Sequence, residues 1–152
     1  MQEKKGGSAY LIPITLLISV ITISCNTGEE TLPRIRYGEE SCDRCRMIIS
    51  EKRFASAYRT DEGILRKFDD VGCAVLHRAE QNEWVSQFWV YDYAETAWLN
   101  KTEAFFVSSR ELLTPMGYGI IAVKTKTQAQ SLAENNNGQI VEFDQLQHIL
   151  QH

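Results

Sequence analysis

The sequence predicts an α+β protein made of two related ββαβ units that pack together, followed by a C-terminal helix. Three observations lead to this prediction. Short segments with the alternation or the aromatic and β-branched residues typical of strands occur in two similar series. In each series, a segment with helical spacing of apolar residues follows the second strand. Neither half alone can bury much apolar surface, so the halves are expected to pack against each other.

The first series consists of two strands joined by a turn, then a helix and a third strand. The predicted ranges are 54–59, 64–68, 71–82 and 87–93. The Thr-Asp-Glu-Gly sequence at 60–63 is a turn signal, which makes the first two strands a hairpin. Asp69 and Asp70 precede the helix and are interpreted as its N-terminal cap rather than as a hard-metal or acid-base pair.

The second series has the same order of elements and adds a final helix. The predicted ranges are 104–108, 119–123, 127–134, 138–141 and 144–150. The residue identities of the two series do not repeat, so the duplication rests on the order of elements alone. The two halves are predicted to span about 41–95 and 96–152, within one domain at 41–152.

The N-terminal segment is predicted to direct export. Lys4 and Lys5 form a basic start, and an apolar run follows at 10–23, so residues 1–24 have the features of a signal peptide. The Ser24-Cys25 pair resembles the end of a bacterial lipoprotein signal, which makes Cys25 the predicted lipidation site. Residues 25–40 are predicted to be a tether. We therefore expect a membrane-anchored protein on the periplasmic side or cell surface; simple secretion and an uncleaved signal anchor are the alternatives.

The composition is that of one ordinary globular domain, with 43% hydrophobic and 24% charged residues. The net charge is −4, and no Lys- or Arg-rich run is present to neutralise phosphates. Nucleic acid is therefore not an expected partner. Once Cys25 is used for lipid, three cysteines remain, and an odd number in an exported protein argues against a complete disulfide framework.

A short motif gathers soft sulfur ligands. Residues 42–47 read Cys-Asp-Arg-Cys-Arg-Met, so Cys42, Cys45 and Met47 place two thiols and a thioether in one loop. Thiolate and thioether sulfur together favour copper(I), whereas zinc rarely takes methionine. Met116 lies between Pro115 and Gly117 in a predicted turn, and we interpret it as a further ligand rather than a core filler.

Two other interpretations of the Cys-x-x-Cys pair stay open. A structural zinc site would need two more ligands, for which Cys73 and His77, one helical turn apart, are the candidates. A thiol-disulfide oxidoreductase would use Cys42 and Cys45. Otherwise Cys73 is interpreted as a small buried apolar residue and His77 as a helix-face residue. No catalytic triad, phosphate loop or dinucleotide motif is present, so no enzyme is predicted.

The motifs together resemble the NosL family, exported copper-binding lipoproteins that assist maturation of the copper sites of nitrous oxide reductase in denitrification. The resemblance rests on segments at 42–47, 54–55, 67–73, 89–93, 98 and 114–120. It implies a copper(I) metallochaperone with Cys45, Met47 and Met116 as ligands, and Cys42 as the fourth. The implied partners are the maturation machinery and nitrous oxide reductase itself. Arg46 departs from the family, which usually has Gly before this Met.

Overall fold

The computed structural model of the chain describes residues 1–2, 31–95 and 97–152. Residues 31–152 form a single compact unit. The predicted signal peptide, the lipidation site at Cys25 and the first part of the tether lie outside the described residues, apart from positions 1 and 2. Within the described ranges, no helix combines the length and the apolar character needed to cross a bilayer.

The first sheet is built from the predicted ββαβ unit and one further strand, which follows the predicted end of the first half at about residue 95. The elements are β1 (Ser56–Thr60), β2 (Leu65–Phe68), α1 (Val71–Gln81), β3 (Val85–Tyr91) and β4 (Trp98–Asn100). The antiparallel sheet has the order β2-β1-β3-β4. The first strand starts later than predicted because a short 3-10 helix occupies Lys52–Phe54. The sheet has four strands rather than three because β4 pairs with the end of β3.

The second half repeats this topology. Its elements are β5 (Phe105–Ser108), β6 (Ile120–Val123), α2 (Lys126–Asn135), β7 (Gln139–Val141) and α3 (Leu146–Gln151). The sheet order β6-β5-β7 corresponds to β2-β1-β3 of the first half. The predicted duplication of a ββαβ unit and the C-terminal helix are therefore confirmed.

The largest cluster of buried apolar residues combines side chains from both halves. Asp92, at the end of the first unit, forms a parallel bridge with Ala122 on β6, and the Tyr93 amide donates to the Ala122 carbonyl at 2.8 Å. The Phe143 ring, just before α3, contacts Phe88 of the first sheet and Phe106 of the second, with centroid distances of 4.8 Å and 5.5 Å. Apolar side chains from both sheets are thus removed from water together, which confirms that the halves pack against each other.

Asp70 begins α1 as predicted. Its backbone is extended, and its side chain accepts a hydrogen bond of 2.7 Å from the Gly72 amide. One of the amides left without a partner at the start of a helix is thereby satisfied. Asp69 takes no part in this cap, and its carboxylate is available for the site described next.

Candidate metal centre

The loop that carries the Cys-x-x-Cys motif is fastened to β2. The Asp43 amide donates to the Lys67 carbonyl at 2.9 Å, and the Asp43 carboxylate accepts from the Lys67 amide at 2.7 Å. Within the loop, the Cys42 amide donates to the Met47 carbonyl and the Arg46 amide to the Cys42 carbonyl. These bonds close the loop on itself, so the two motif cysteines are held at the end of the first sheet.

Arg46 adopts a left-handed backbone conformation, with φ of 67°. A side chain at such a φ crowds the following carbonyl, whereas glycine adopts it freely. Glycine would therefore be the least strained residue at this position. In this chain an arginine adopts this conformation, and its side chain is exposed beside Met47.

Four potential metal ligands converge at this loop. The sulfur atoms of Cys42, Cys45 and Cys73 and a carboxylate oxygen of Asp69 all lie within 4.8 Å of one another. The three thiols are free. Cys42, Cys73 and Asp69 are buried, and Cys45 is half-buried. The Cys45 thiol donates to both carboxylate oxygens of Asp69, at 3.4 Å and 3.5 Å.

Three elements supply these ligands. The loop provides Cys42 and Cys45, the end of β2 leads into Asp69, and the first turn of α1 provides Cys73. The interpretation of Cys73 as a small buried residue captures its burial but misses its neighbours. Two acids precede α1, although Asp70 alone suffices for the cap. The presence of an additional acid is the sequence signal that could have identified Asp69.

The thiols of the cluster differ in acidity. Hydrogen bonding from the Cys73 thiol lowers the pKa of Cys42 to about 7. Burial raises the pKa of Cys45 to about 11. The bond to Cys42, together with burial, strongly raises the pKa of Cys73. At neutral pH Cys42 is therefore the thiol closest to ionisation, and a metal that binds the other two must displace their protons.

Of the two predicted methionine ligands, one is exposed and the other is fixed near α1. Met47 has 52% of its surface exposed, directly after the motif. Met116 is half-buried in a turn closed by a 2.9 Å bond from the Gly117 amide to the Thr114 carbonyl. The Met116 amide also donates to Asp70 Oδ2 at 3.2 Å. This bond brings the turn of the second half to the end of α1 that carries Asp69 and Cys73.

A second connection ties the same turn to the Cys-x-x-Cys loop. Arg44 donates to the Tyr118 hydroxyl at 2.6 Å and forms an ion pair of 2.7 Å with Glu80 on α1. The Tyr118 ring packs directly on Gly72, where an added Cβ would lie 2.4 Å from the ring. Arg44 and Gly72 thus hold the loop, α1 and the Met116 turn in one arrangement.

His77 lies apart from the cysteines. It is buried on α1, and its Nδ1 is 2.6 Å from the Tyr58 hydroxyl, which also bonds to Glu83. Glu83 in turn pairs with Arg66 at 2.7 Å. The zinc interpretation named His77 as the fourth ligand. Among the described residues, Asp69 and not His77 lies with the three cysteines, so that part of the interpretation is wrong.

The buried His77 is expected to make stability depend on pH. Burial lowers the pKa of its imidazole below the ordinary value of about 6.5. As the pH falls through that value, the unfolded chain takes up a proton that the folded chain resists, so the free energy of unfolding decreases. Urea unfolding at pH 7.5 and pH 5.5 should show this loss, and His77→Gln should reduce it. An equal pH dependence in both proteins would contradict the assignment.

Comparison with known proteins agrees with this architecture. The family model NosL matches residues 36–150. The crystal structure of the copper chaperone NosL from Shewanella denitrificans superimposes with a TM-score of 0.67 at 18% sequence identity, over 74% of this chain and 93% of that one. At this identity the likeness supports the fold. No curated protein gives a significant match. Because the family match covers most of the sequence, the chain belongs to the NosL family.

Proposed function

We propose that this protein is a membrane-tethered metallochaperone that binds copper(I) and passes it to the copper sites of nitrous oxide reductase, without catalysis of its own. Membership of the NosL family and the fold shared with a copper chaperone support the proposal. The observation that carries it is the convergence of three free thiols, those of Cys42, Cys45 and Cys73, within 4.8 Å. Export and lipid attachment at Cys25 would place the protein on the periplasmic side or cell surface.

The burial of the cluster suits transfer rather than permanent storage. Cys42 and Cys73 are fully buried, whereas Cys45 is half-buried and Met47 is exposed beside it. Sulfur ligands hold copper(I) with high preference, and an accessible ligand on one side lets a partner's ligand replace it stepwise. We therefore assign Cys45 and Met47 to the side of the site where copper enters and leaves.

Competition with copper(I) and zinc chelators tests this function directly. The reduced protein is expected to bind about one copper(I), and to prefer it to zinc by a wide margin, because its soft ligands match the soft ion. The cluster also supports a second candidate, since three thiolates and one carboxylate are a suitable set for structural zinc. Equal or tighter retention of zinc would favour that structural role and contradict copper transfer.

The arrangement gives less support to thiol-disulfide exchange. An attacking cysteine needs both a lowered pKa and access to its substrate. Here Cys42 has the lowered pKa but is 0% exposed, whereas the accessible Cys45 has a raised pKa. The two requirements fall on different residues, which favours metal binding as the role of the pair.

Met116→Ala is expected to weaken copper(I) binding about tenfold or more, equivalent to about 1.4 kcal/mol. The Asp70 bond holds its turn at the same end of α1 as Asp69 and Cys73, from where the thioether can complete the sulfur set. Chelator competition measures the affinity, and thermal unfolding of the same variant separates binding from packing.

Met47→Ala is the matched comparison, because Met47 is 52% exposed and contributes little to the core. If Met116→Ala lowers the melting temperature but leaves copper affinity unchanged, Met116 is a packing residue. Loss of affinity in Met47→Ala alone would restrict the site to the first half of the chain.

A further inference from the structure

Three large apolar side chains are exposed at one end of the first half. Leu32, Ile64 and Trp84 have 56%, 43% and 79% of their surfaces accessible. Ile64 and Trp84 lie on two turns that line one cavity of about 280 Å³. The turns are fastened together, because the Asp61 amide donates to the Trp84 carbonyl at 3.0 Å. We call Leu32, Ile64 and Trp84 the tip surface.

Contacts of Thr31 bring Leu32 to this end. The Arg59 guanidinium donates to the Thr31 hydroxyl at 3.4 Å and to the Gly63 carbonyl at 3.3 Å. Gly63 immediately precedes Ile64 in the turn between β1 and β2. The chain therefore enters the folded unit beside the tip surface.

The distance along the chain from here to the proposed lipid is short. Thr31 lies six positions after Cys25 in the sequence. At about 3.3 to 3.6 Å per extended residue, these six steps can span at most about 22 Å. A lipid on Cys25 would thus keep the tip surface close to the bilayer, whatever path these residues take.

The chemistry of the tip surface suits the interfacial region of a bilayer. Tryptophan prefers this region because its ring is apolar and its N–H can bond to headgroups or water. Among the described residues beside this surface, Asp61 and Glu62 are exposed acids, Arg66 is paired with Glu83, and Arg59 donates to Thr31 and Gly63. The described part of the surface therefore has no cluster of free cations that would favour anionic lipids. Neutral, zwitterionic headgroups are therefore the matching partner.

We propose that Leu32, Ile64 and Trp84 insert into the headgroup region and seat the domain on the membrane in a fixed orientation. This inference rests on the lipid anchor in the proposed function. The orientation has a consequence for the metal centre. Helix α1 has 11 residues and is therefore about 16 Å long. Cys73 lies in its first turn and Trp84 lies beyond its last, so seating the tip directs the cysteine cluster away from the bilayer.

Fluorescence of the lipidated protein tests the proposal. The full-length product is reconstituted into phosphatidylcholine vesicles that contain acyl chains brominated near the headgroups. Bromine is expected to quench a component of tryptophan emission that Trp84→Phe removes, because Trp84 is 79% exposed, whereas Trp89 is 1% exposed and Trp98 is half-buried on β4. Ile64→Gln should reduce the quenching at least twofold. Leu113→Gln is the matched control, since Leu113 is 89% exposed but lies in the second half, and it should leave quenching unchanged.

Co-sedimentation of the same samples separates this inference from the anchor itself. If the wild-type protein sediments with the vesicles and Cys25→Ala does not, the lipid anchor is supported. If the protein sediments but its Trp84 emission is not quenched, the anchor stands and insertion of the tip surface is overturned. Failure of the wild-type protein to sediment would overturn both. If Trp84 is instead shielded from bromine because the protein self-associates in a concentration-dependent way, the tip surface binds a second copy of the chain. That result would also overturn insertion into the membrane.

Discussion

Cys45→Ser is expected to weaken copper(I) binding at least about 100-fold, equivalent to about 2.8 kcal/mol. Cys45 is the half-buried thiol of the cluster, and serine replaces its soft sulfur with a hard oxygen of similar shape. The folded structure should change little, because the residue is neither fully buried nor part of a strand or helix. Chelator competition at fixed pH on the reduced protein gives the affinity, and urea unfolding checks the fold.

Asp69→Asn provides the comparison that separates copper from zinc. Asp69 lies 3.4 Å from the Cys45 sulfur and is the hard ligand of the cluster. Copper(I) gains little from a carboxylate, whereas zinc accepts one readily. The substitution should therefore reduce zinc affinity more than copper affinity. Copper binding that survives Cys45→Ser but falls with Asp69→Asn would contradict the sulfur site.

The pH dependence of binding follows from the same thiols. Cys45 has a pKa of about 11 and must lose its proton to coordinate a metal. Its hydrogen bond to Asp69 gives this proton a nearby acceptor. Copper affinity should therefore rise with pH through the neutral range, as each bound ion releases protons.

The order of secondary structure could be predicted because it depends on local patterns. The Thr-Asp-Glu-Gly turn, the Asp70 cap and the apolar spacing in α1 are each visible in a few consecutive residues. Strand β4 has only three residues, Trp98–Asn100, and shows no period of its own. It exists because β3 offers it a free edge, which is a tertiary property that the sequence pattern does not contain.

The site could be predicted only where its ligands are neighbours in sequence. Cys42 and Cys45 are three positions apart, so their proximity follows from the motif itself. Cys73 and Asp69 join them because the loop is bonded to β2 through Asp43, an interaction without a sequence signature. Whether Met47 and Met116 coordinate copper stays a prediction, to which the structure adds the bond between the Met116 amide and Asp70.

Asp70→Ala is expected to lower the free energy of unfolding by roughly 1.5 to 5 kcal/mol. The side chain of Asp70 is buried at 0% exposure and accepts from the Gly72 amide at 2.7 Å and the Met116 amide at 3.2 Å. Loss of an N-cap costs about 0.5 to 2 kcal/mol. A buried donor left without a partner costs about 1 to 3 kcal/mol more. Urea denaturation at pH 7 measures the total.

Asp70→Asn is the matched control for this prediction. Asparagine is a good N-cap and keeps one acceptor oxygen for the Gly72 amide, so it should restore the cap, worth about 0.5 to 2 kcal/mol, while the Met116 amide still loses its acceptor. Because Asp70 links α1 to the turn of the second half, Asp70→Ala should also weaken copper(I) binding to about the level of Met116→Ala. The two substitutions combined should then weaken binding no further, since both remove the same contribution. The contradicting outcome is that Asp70→Ala costs no more stability than the loss of an ordinary cap and leaves copper affinity unchanged. Asp70 would then stabilise α1 alone, and Arg44 and Tyr118 would position the Met116 turn instead.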